Sequence, residues 1–198
     1  LMATGLSALM QKGYDGIGIG PVLAEAGVPK GSFYHYFSSK DEFVVAVIEA
    51  YEAHYSALRT RIFSDRSRPA LDRLDAYFGA LQGELAESLP GGGCLYGILC
   101  QSLMPRSAEL RQRLVRAFDD WQASLEHLIA EACAGGELPA TLDLAAAASL
   151  AIDYYEGALV RAKIRSSTQP FVEFRACLPH LLAVSLPHKP AKTLAKGD

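Results

Sequence analysis

Apolar residues return every three to four positions along almost the whole chain, and segments that alternate strictly between apolar and polar are nearly absent. A spacing near 3.6 residues puts such side chains on one stripe of a helix, whereas a half-buried strand needs a period of two. The chain is therefore expected to be all-α, and the interruptions in the pattern count its helices. They fall at Lys12-Gly13, Gly27-Val28-Pro29, Ser64 to Ser67, the run Leu89-Pro90-Gly91-Gly92-Gly93, Met104-Pro105-Arg106 and Gly135-Gly136. Glycine ends helices by taking positive φ without strain, and proline cannot continue one. These breaks predict about nine helices, over 1–11, 21–26, 30–36, 39–62, 69–87, 94–103, 110–129, 143–166 and 170–185. The fourth opens on a capping box, Ser39-Lys40-Asp41-Glu42, in which the Ser39 hydroxyl caps the Glu42 N–H and the Glu42 side chain reaches back.

Three short helices followed by six mostly longer ones make a two-part protein. Residues 1–38 are expected to be a helix-turn-helix unit and 39–186 a larger helical domain, with 187–198 a basic tail. Leu1-Met2-Ala3 reads as the middle of a helix with no cap before it, so further residues are expected ahead of Leu1. At 198 residues, 50% of them hydrophobic, the chain can fill one or two cores. No run approaches the roughly 18 apolar residues of a membrane span, and no signal peptide opens the sequence. Cys94, Cys100, Cys133 and Cys177 form no C-x-x-C pair and no zinc spacing, which predicts reduced thiols, a cytoplasmic location, and no metal or other cofactor.

Two short helices around a tight glycine turn have the form of a helix-turn-helix, whose second helix enters the major groove of DNA. Here that helix is Lys30-Gly31-Ser32-Phe33-Tyr34-His35-Tyr36, followed by Phe37. Lys30 and Lys40 offer charge to phosphates. Ser32 offers a small donor and acceptor, and Tyr34, His35 and Tyr36 are flat side chains with polar tips. Phe33 and Phe37, four apart, would hold the helix on its own small core. The charge balance is unusual for a DNA binder. Between Leu1 and Ile48 there are three lysines and no arginine against four acids, and the net charge of the chain is −3. DNA binding depends on a local basic patch more than on a whole-chain sum.

The stretch from Gly13-Tyr14 through Val22-Leu23-Ala24-Glu25-Ala26-Gly27-Val28-Pro29 to Phe37 and Lys40 resembles the DNA-binding segment of the tetracycline-repressor (TetR-like) family. The resemblance implies a repressor that binds a palindromic double-stranded operator as a homodimer and is released by a small-molecule inducer. It places Gly31 within the recognition helix, Ser32 and Tyr34 at base edges or adjacent phosphates, and Tyr36 and Lys40 at phosphates. It also implies a dimer interface in helices 8 and 9. The sequence supports that interface with the alanine-rich run from Ala145 to Ala158 and the stripe Phe171, Phe174, Leu178, Leu181 and Leu182.

Gly93-Cys94-Leu95, together with Arg161-Ala162-Lys163, narrows the likeness to a branch that includes acrylate-responsive and N-ethylmaleimide-responsive repressors. The branch implies sensing at Cys94. A thiol at a helix N-terminus has its thiolate favoured by the helix dipole, and Lys163 or Arg161 would favour it further. Tyr96, Trp121, Tyr155, Glu156 and Lys163 are the accompanying candidates for a ligand pocket. Glu156 and Lys163 lie two turns apart on one helix, while Cys100, Cys133 and Cys177 read as core. A signal from Cys94 is expected to pass into the fourth helix and so to the recognition helix. Two other readings stand beside this one. A helical adaptor of the same fold would have lost DNA binding, and a cysteine-dependent enzyme would use Cys94 with His54 or His127 as base. No phosphate loop or metal cluster supports an enzyme, and no catalytic residue is assigned.

Overall fold

The computed structural model describes residues 1–89, 91–103 and 107–184. Among the described residues there are nine α-helices and no strand: α1 (Met2–Gly16), α2 (Ile19–Ala26), α3 (Lys30–Tyr36), α4 (Lys40–Phe63), α5 (Ala70–Ser88), α6 (Leu95–Leu103), α7 (Ala108–Ala134), α8 (Leu144–Arg165) and α9 (Gln169–Ala183). The expected breaks at Pro90 and Met104-Pro105-Arg106, and the expected basic tail 187–198, lie outside the described residues.

Two boundaries depart from the sequence expectation for identifiable reasons. α1 does not end at Lys12-Gly13. It kinks there, with Gly13 at φ 63° and ψ −177°, and continues for another turn to Gly16. That backbone conformation is open almost only to glycine, so the residue read as a stop is a hinge between two helical pieces. α2 begins two residues before Pro21, because proline is tolerated in a first turn, where its missing N–H has no partner to lose. It closes as expected on Gly27, with Val28 N–H bonded to the Leu23 carbonyl at 3.0 Å.

The small N-terminal core is aromatic. Phe33 is the one buried residue of α3, and it meets Phe37 at 5.3 Å and Phe43 of α4 at 5.5 Å between ring centroids. The first turns of α4 thus belong to the same core as α1–α3. At the start of α4 the Ser39 hydroxyl accepts from Glu42 N–H at 3.1 Å. The Glu42 carboxylate reaches one residue further than a capping box requires, accepting from Ser38 N–H and the Ser38 hydroxyl, both at 2.7 Å. Those bonds hold its pKa below the ordinary carboxylate value.

In the larger domain α7 and α8 form the spine, with α9 on α8 and α5 between α4 and α9. The alanine face of α8 turns inward. Ala147, Ala148, Ala151, Ala158 and Ala162 are all buried within the chain, and so are Phe171, Phe174, Leu178 and Leu182 of α9. This corrects the expectation that these residues meet a partner: their small size lets α7 and α9 come close to α8 in the same subunit. What α8 and α9 leave in solvent is Val160, Ile164, Val172 and Leu181, of which Leu181 alone belongs to the expected stripe. The cysteines divide as well. Cys94 is buried, Cys100 and Cys133 are half-buried and pack against the core, and Cys177 is exposed, so the reading as core fails for Cys177.

Candidate DNA-reading face and ligand chamber

Every polar candidate on α3 points outward. Lys30, Gly31, Ser32 and His35 are exposed, as are Tyr34 (53%) and Tyr36 (73%). Two tyrosines left in solvent on a seven-residue helix are a costly use of apolar surface unless a partner covers them. The Lys30 ammonium lies 5.9 Å from the Tyr34 ring, and His35 and Tyr36 meet edge to face at 5.0 Å.

Lys40 is placed differently. Its ammonium donates to the carbonyls of Tyr14 at 2.6 Å and Ile17 at 2.9 Å and sits 4.1 Å from the Tyr14 ring. The lost hydration lowers its pKa, with Asp15 and Asp41 acting in the opposite direction. The Tyr14 hydroxyl in turn donates to Asp41. Lys40 therefore fastens the start of α4 to the α1–α2 junction, and its ammonium has one further N–H to offer.

α1 and α6 connect this unit to the larger domain. α6 packs along α1 and α7, and Tyr14 N–H donates to the Ser102 hydroxyl at 3.4 Å, beside the Gly13 kink. α6 meets α4 near its start, where the Tyr51 hydroxyl accepts from Leu95 N–H at 3.3 Å and Tyr51 and Tyr96 lie 5.2 Å apart. Beside its contact with α4, the Cys94 helix thus has one with α1, which the sequence did not reveal.

Cys94 immediately precedes α6 and is 5% exposed. Its nearest titratable neighbour is the carboxyl of Glu156, whose Oε1 is buried without a hydrogen-bond partner. Burial and the neighbouring Glu156 push the thiol well above its ordinary pKa, and the N–H groups of Gly97 and Tyr96 offset this only in part. Burial also raises the Glu156 pKa. The expected helix-terminus effect is therefore real in direction but outweighed, and in this conformation Cys94 is a neutral thiol. Gly97 leaves room for Glu156: a Cβ there would lie 2.5 Å from Glu156 Oε2. The Lys163 ammonium hangs over Gly93, 3.4 Å from where a side chain would begin, while Arg161 is turned away toward Glu173 at 3.1 Å.

Around Cys94 stands a ring of aromatics. Tyr96 packs on Tyr51 and Phe118, and Trp121 meets Tyr155 edge to face at 5.2 Å. Cys94, Trp121, Tyr155, Tyr77, Tyr51 and Arg59 line a small chamber of about 20 Å³. Tyr51, Tyr55, Leu81 and Tyr155 also form the wall of a much larger, half-open cavity of about 520 Å³, bordered on its other sides by α1 (Met2, Leu6, Met10) and by the loop Gly91 to Gly93. The Tyr55 hydroxyl donates to Glu84 at 2.6 Å on that wall, and His54 lies 3.2 Å from the same carboxylate. His127 pairs with Glu131, so neither histidine is a hydrogen-bond partner of Cys94. Among the described residues no cluster of His, Cys, Asp or Glu could hold a metal ion, and no helix is long and apolar enough to cross a membrane.

Arg59, 5% exposed, is the residue that sequence reasoning missed. A signal was present: on α4 it stands four residues after Tyr55 and three before Ile62, a cation on the apolar stripe.

Residues 1–47 match the model for "Bacterial regulatory proteins, tetR family", and residues 70–178 match "Tetracyclin repressor-like, C-terminal domain". The chain is 37% identical to the transcriptional regulator AcuR of Cereibacter sphaeroides, over 88% of this chain and 80% of that protein. It is 29% identical to the HTH-type transcriptional repressor NemR of Escherichia coli, over 92% of each. The crystal structure of regulatory protein TetR from Rhodobacter sphaeroides superposes with a TM-score of 0.86 at 35% identity, covering 90% of this chain and 95% of that one.

Proposed function

Because the chain belongs to the TetR family of bacterial regulators, we propose that it is a repressor that binds a palindromic operator as a homodimer and leaves it when a small molecule enters the chamber. The observation that carries this reading is the 520 Å³ cavity. It is of ligand size, and α1 of the DNA-reading unit and α4, α5 and α8 of the larger domain share its walls. A molecule seated there touches the scaffold of α3 directly.

Residues 1–38 carry the reading helices and 39–186 the chamber and the dimer face, with the first turns of α4 common to both. Ser32 and Tyr34 are placed to meet base edges. Lys30, Tyr36 and the remaining N–H of Lys40 are placed to meet phosphates, with Gly31 and His35 on the same outer face. Two copies joined through the exposed Val160, Ile164, Val172 and Leu181 of α8 and α9 would set two α3 helices in successive major grooves, on the order of 34–36 Å apart. Filling the cavity would shift α1 and α6 against the Gly13 kink and carry Tyr14, and with it Lys40 and α4, out of register with the grooves. A coupling of about 1–3 kcal/mol between the two sites suffices to change operator affinity roughly 5–150-fold.

An electrophile or oxidant acting at Cys94 is a second reading, favoured by the N–H groups of Tyr96 and Gly97, which act to lower the thiol pKa, and by Lys163 over Gly93. Tyr96, Trp121, Tyr155 and Glu156 then serve as the walls that admit or exclude the reagent.

The test is anisotropy of a labelled fragment of the protein's own promoter region, at several salt concentrations. Salt-dependent, saturable binding that fits two chains per site is expected. Binding no tighter than to random DNA would leave only an adaptor of the same fold.

A further inference from the structure

Several acids at helix contacts of the larger domain are met by arginines. Glu131 takes Arg73 at 2.7 Å and also Arg66, Glu52 takes Arg113, and Asp75 takes Arg175 at 2.7 Å. Glu84 of α5 is met differently, from α4. Its Oε2 accepts from the Tyr55 hydroxyl at 2.6 Å, and its Oε1 lies 3.2 Å from His54 Nε2. The side chain is 41% exposed and stands on the wall of the 520 Å³ cavity. Among the described residues bordering that cavity Glu84 is the one acid, and there is no lysine or arginine. Met2, Leu6, Met10, Val47, Leu85 and Leu159 make much of the remaining wall apolar. Tyr51 and Tyr55 add two rings whose centroids are 4.5 Å apart. The adjoining small chamber carries a cation instead, Arg59. The two compartments thus differ in sign.

We infer that Glu84 selects the ligand of the large cavity, and that this ligand is an organic amine, one protonated nitrogen on an apolar body. This rests on the reading of the cavity as the regulatory ligand site. A carboxylate held by a hydroxyl and an imidazole gains most from a partner that brings a full charge together with N–H donors. The ammonium takes Oε1 in place of the exposed His54 ring, while Tyr55 keeps Oε2. Aromatic surface next to a cation adds to the attraction. Arg59 sets the orientation. A second positive charge close to it is repelled, so the ammonium stays at the half-exposed Glu84. The apolar body then extends inward along Leu85, Leu159 and α1. Met2 and Met10 are adaptable side chains, so bodies of different outline can be seated. A carboxylic acid meets the reverse conditions on this wall, since Glu84 repels it and no cation of the wall receives it.

The full chain is titrated by calorimetry at pH 7 with benzylamine, octylamine and adamantylamine, which are protonated there as lysine is. Each is compared with the alcohol and the carboxylate that carry the same body. Saturable heat is expected with at least one amine, with its alcohol weaker by about two- to fivefold, the gain of a half-exposed ion pair, and its carboxylate weaker still. Glu84→Gln should bring the amine down to the affinity of the alcohol and leave the alcohol unchanged. Ala50→Trp, at an exposed position on the cavity wall, should weaken amine and alcohol alike. His54→Ala, at an exposed side chain, should tighten the amine and leave the alcohol unchanged, because the ring no longer competes for Oε1. Should Glu84→Gln fail to fold, His54→Ala decides, and an amine affinity that is unchanged or lower would overturn the proposal. So would the absence of saturable amine binding, equal binding of amine and alcohol, tightest binding of the carboxylate, or an amine preference undiminished in Glu84→Gln. Promoter binding is measured on the same samples. Intact operator binding with no amine preference sinks the ligand class alone, and amine preference without operator binding sinks the repressor reading alone.

Discussion

Tyr34 and Tyr36 stand in solvent on α3, whereas Tyr51, Tyr77 and Tyr155 are buried and their hydroxyl pKa values are pushed up by loss of water. For Tyr77 the value reaches about 12. The residue is the same, and the element under it sets the difference. α3 has seven residues and one buried anchor, Phe33, so all its other side chains face outward. α4, α5 and α8 are long and packed on several sides, so their tyrosines turn polar tips inward and must find partners there. An outward tyrosine is free for an external partner and contributes little to folding. An inward one contributes heavily to folding and makes the chamber polar at chosen points.

That contrast can be broken most severely by truncating one residue on each side. Phe78→Ala, at a fully buried position between Tyr77, Tyr155 and Phe174, should lower unfolding free energy by about 3–5 kcal/mol in a urea titration. Tyr36→Ala should move it by no more than about 0.5 kcal/mol, while weakening operator and random DNA alike. Equal stability losses would erase the distinction between the two regions.

Dimerisation comes next in size. Ile164→Asp, at a side chain 84% exposed, should give single-chain mass by light scattering without loss of helicity. Ala151→Asp, at an inward position, should instead unfold the chain. The reverse outcome would return the alanine face of α8 to the interface.

Lys40 sits between the two regions, and its removal sharpens the comparison. Lys40→Ala deletes two charge-assisted bonds at a half-buried site and should cost about 1–2 kcal/mol of stability. If the third N–H also meets a phosphate, the dependence of binding on log salt should fall by roughly one unit of slope. A stability loss with an unchanged slope would make Lys40 a fastener only.

The smallest expected effect concerns Cys94. Its thiol pKa is raised, so the thiolate fraction is small at neutral pH and grows only as pH is taken above the ordinary thiol range. Iodoacetamide should therefore label the exposed Cys177 first and Cys94 last, with the Cys94 rate still climbing at high pH. Glu156→Gln removes the carboxyl that disfavours the thiolate and should speed labelling of Cys94 several-fold. Fast labelling of native Cys94 at pH 7 would favour covalent sensing.

The helix plan was legible because its signals are local: the Gly27 turn, the Ser39 cap and the 3.6-residue period each act within a few residues. So was the outward face of α3, since a short helix with one phenylalanine anchor has nowhere to bury Tyr34 or Tyr36. What escaped the sequence depends on which faces meet. Small residues on α8 suit a partner helix from either subunit, and only the packing of α7 and α9 decides that Ala151 is internal. The dipole argument for Cys94 was sound for an exposed helix start, and the burial and Glu156 that outweigh it arrive from α8. Arg59 shows locally as a cation on the apolar stripe of α4, but which side chains surround it depends on the helices packed there, and no local window displays that.

The most direct test of the division between reader and chamber is operator affinity for the double variant Tyr34→Ala, Tyr36→Ala, measured by anisotropy beside its urea unfolding curve. An affinity loss of about 10–100-fold with an unchanged unfolding midpoint is expected. Undiminished operator binding would contradict the assignment of α3 as the reading helix.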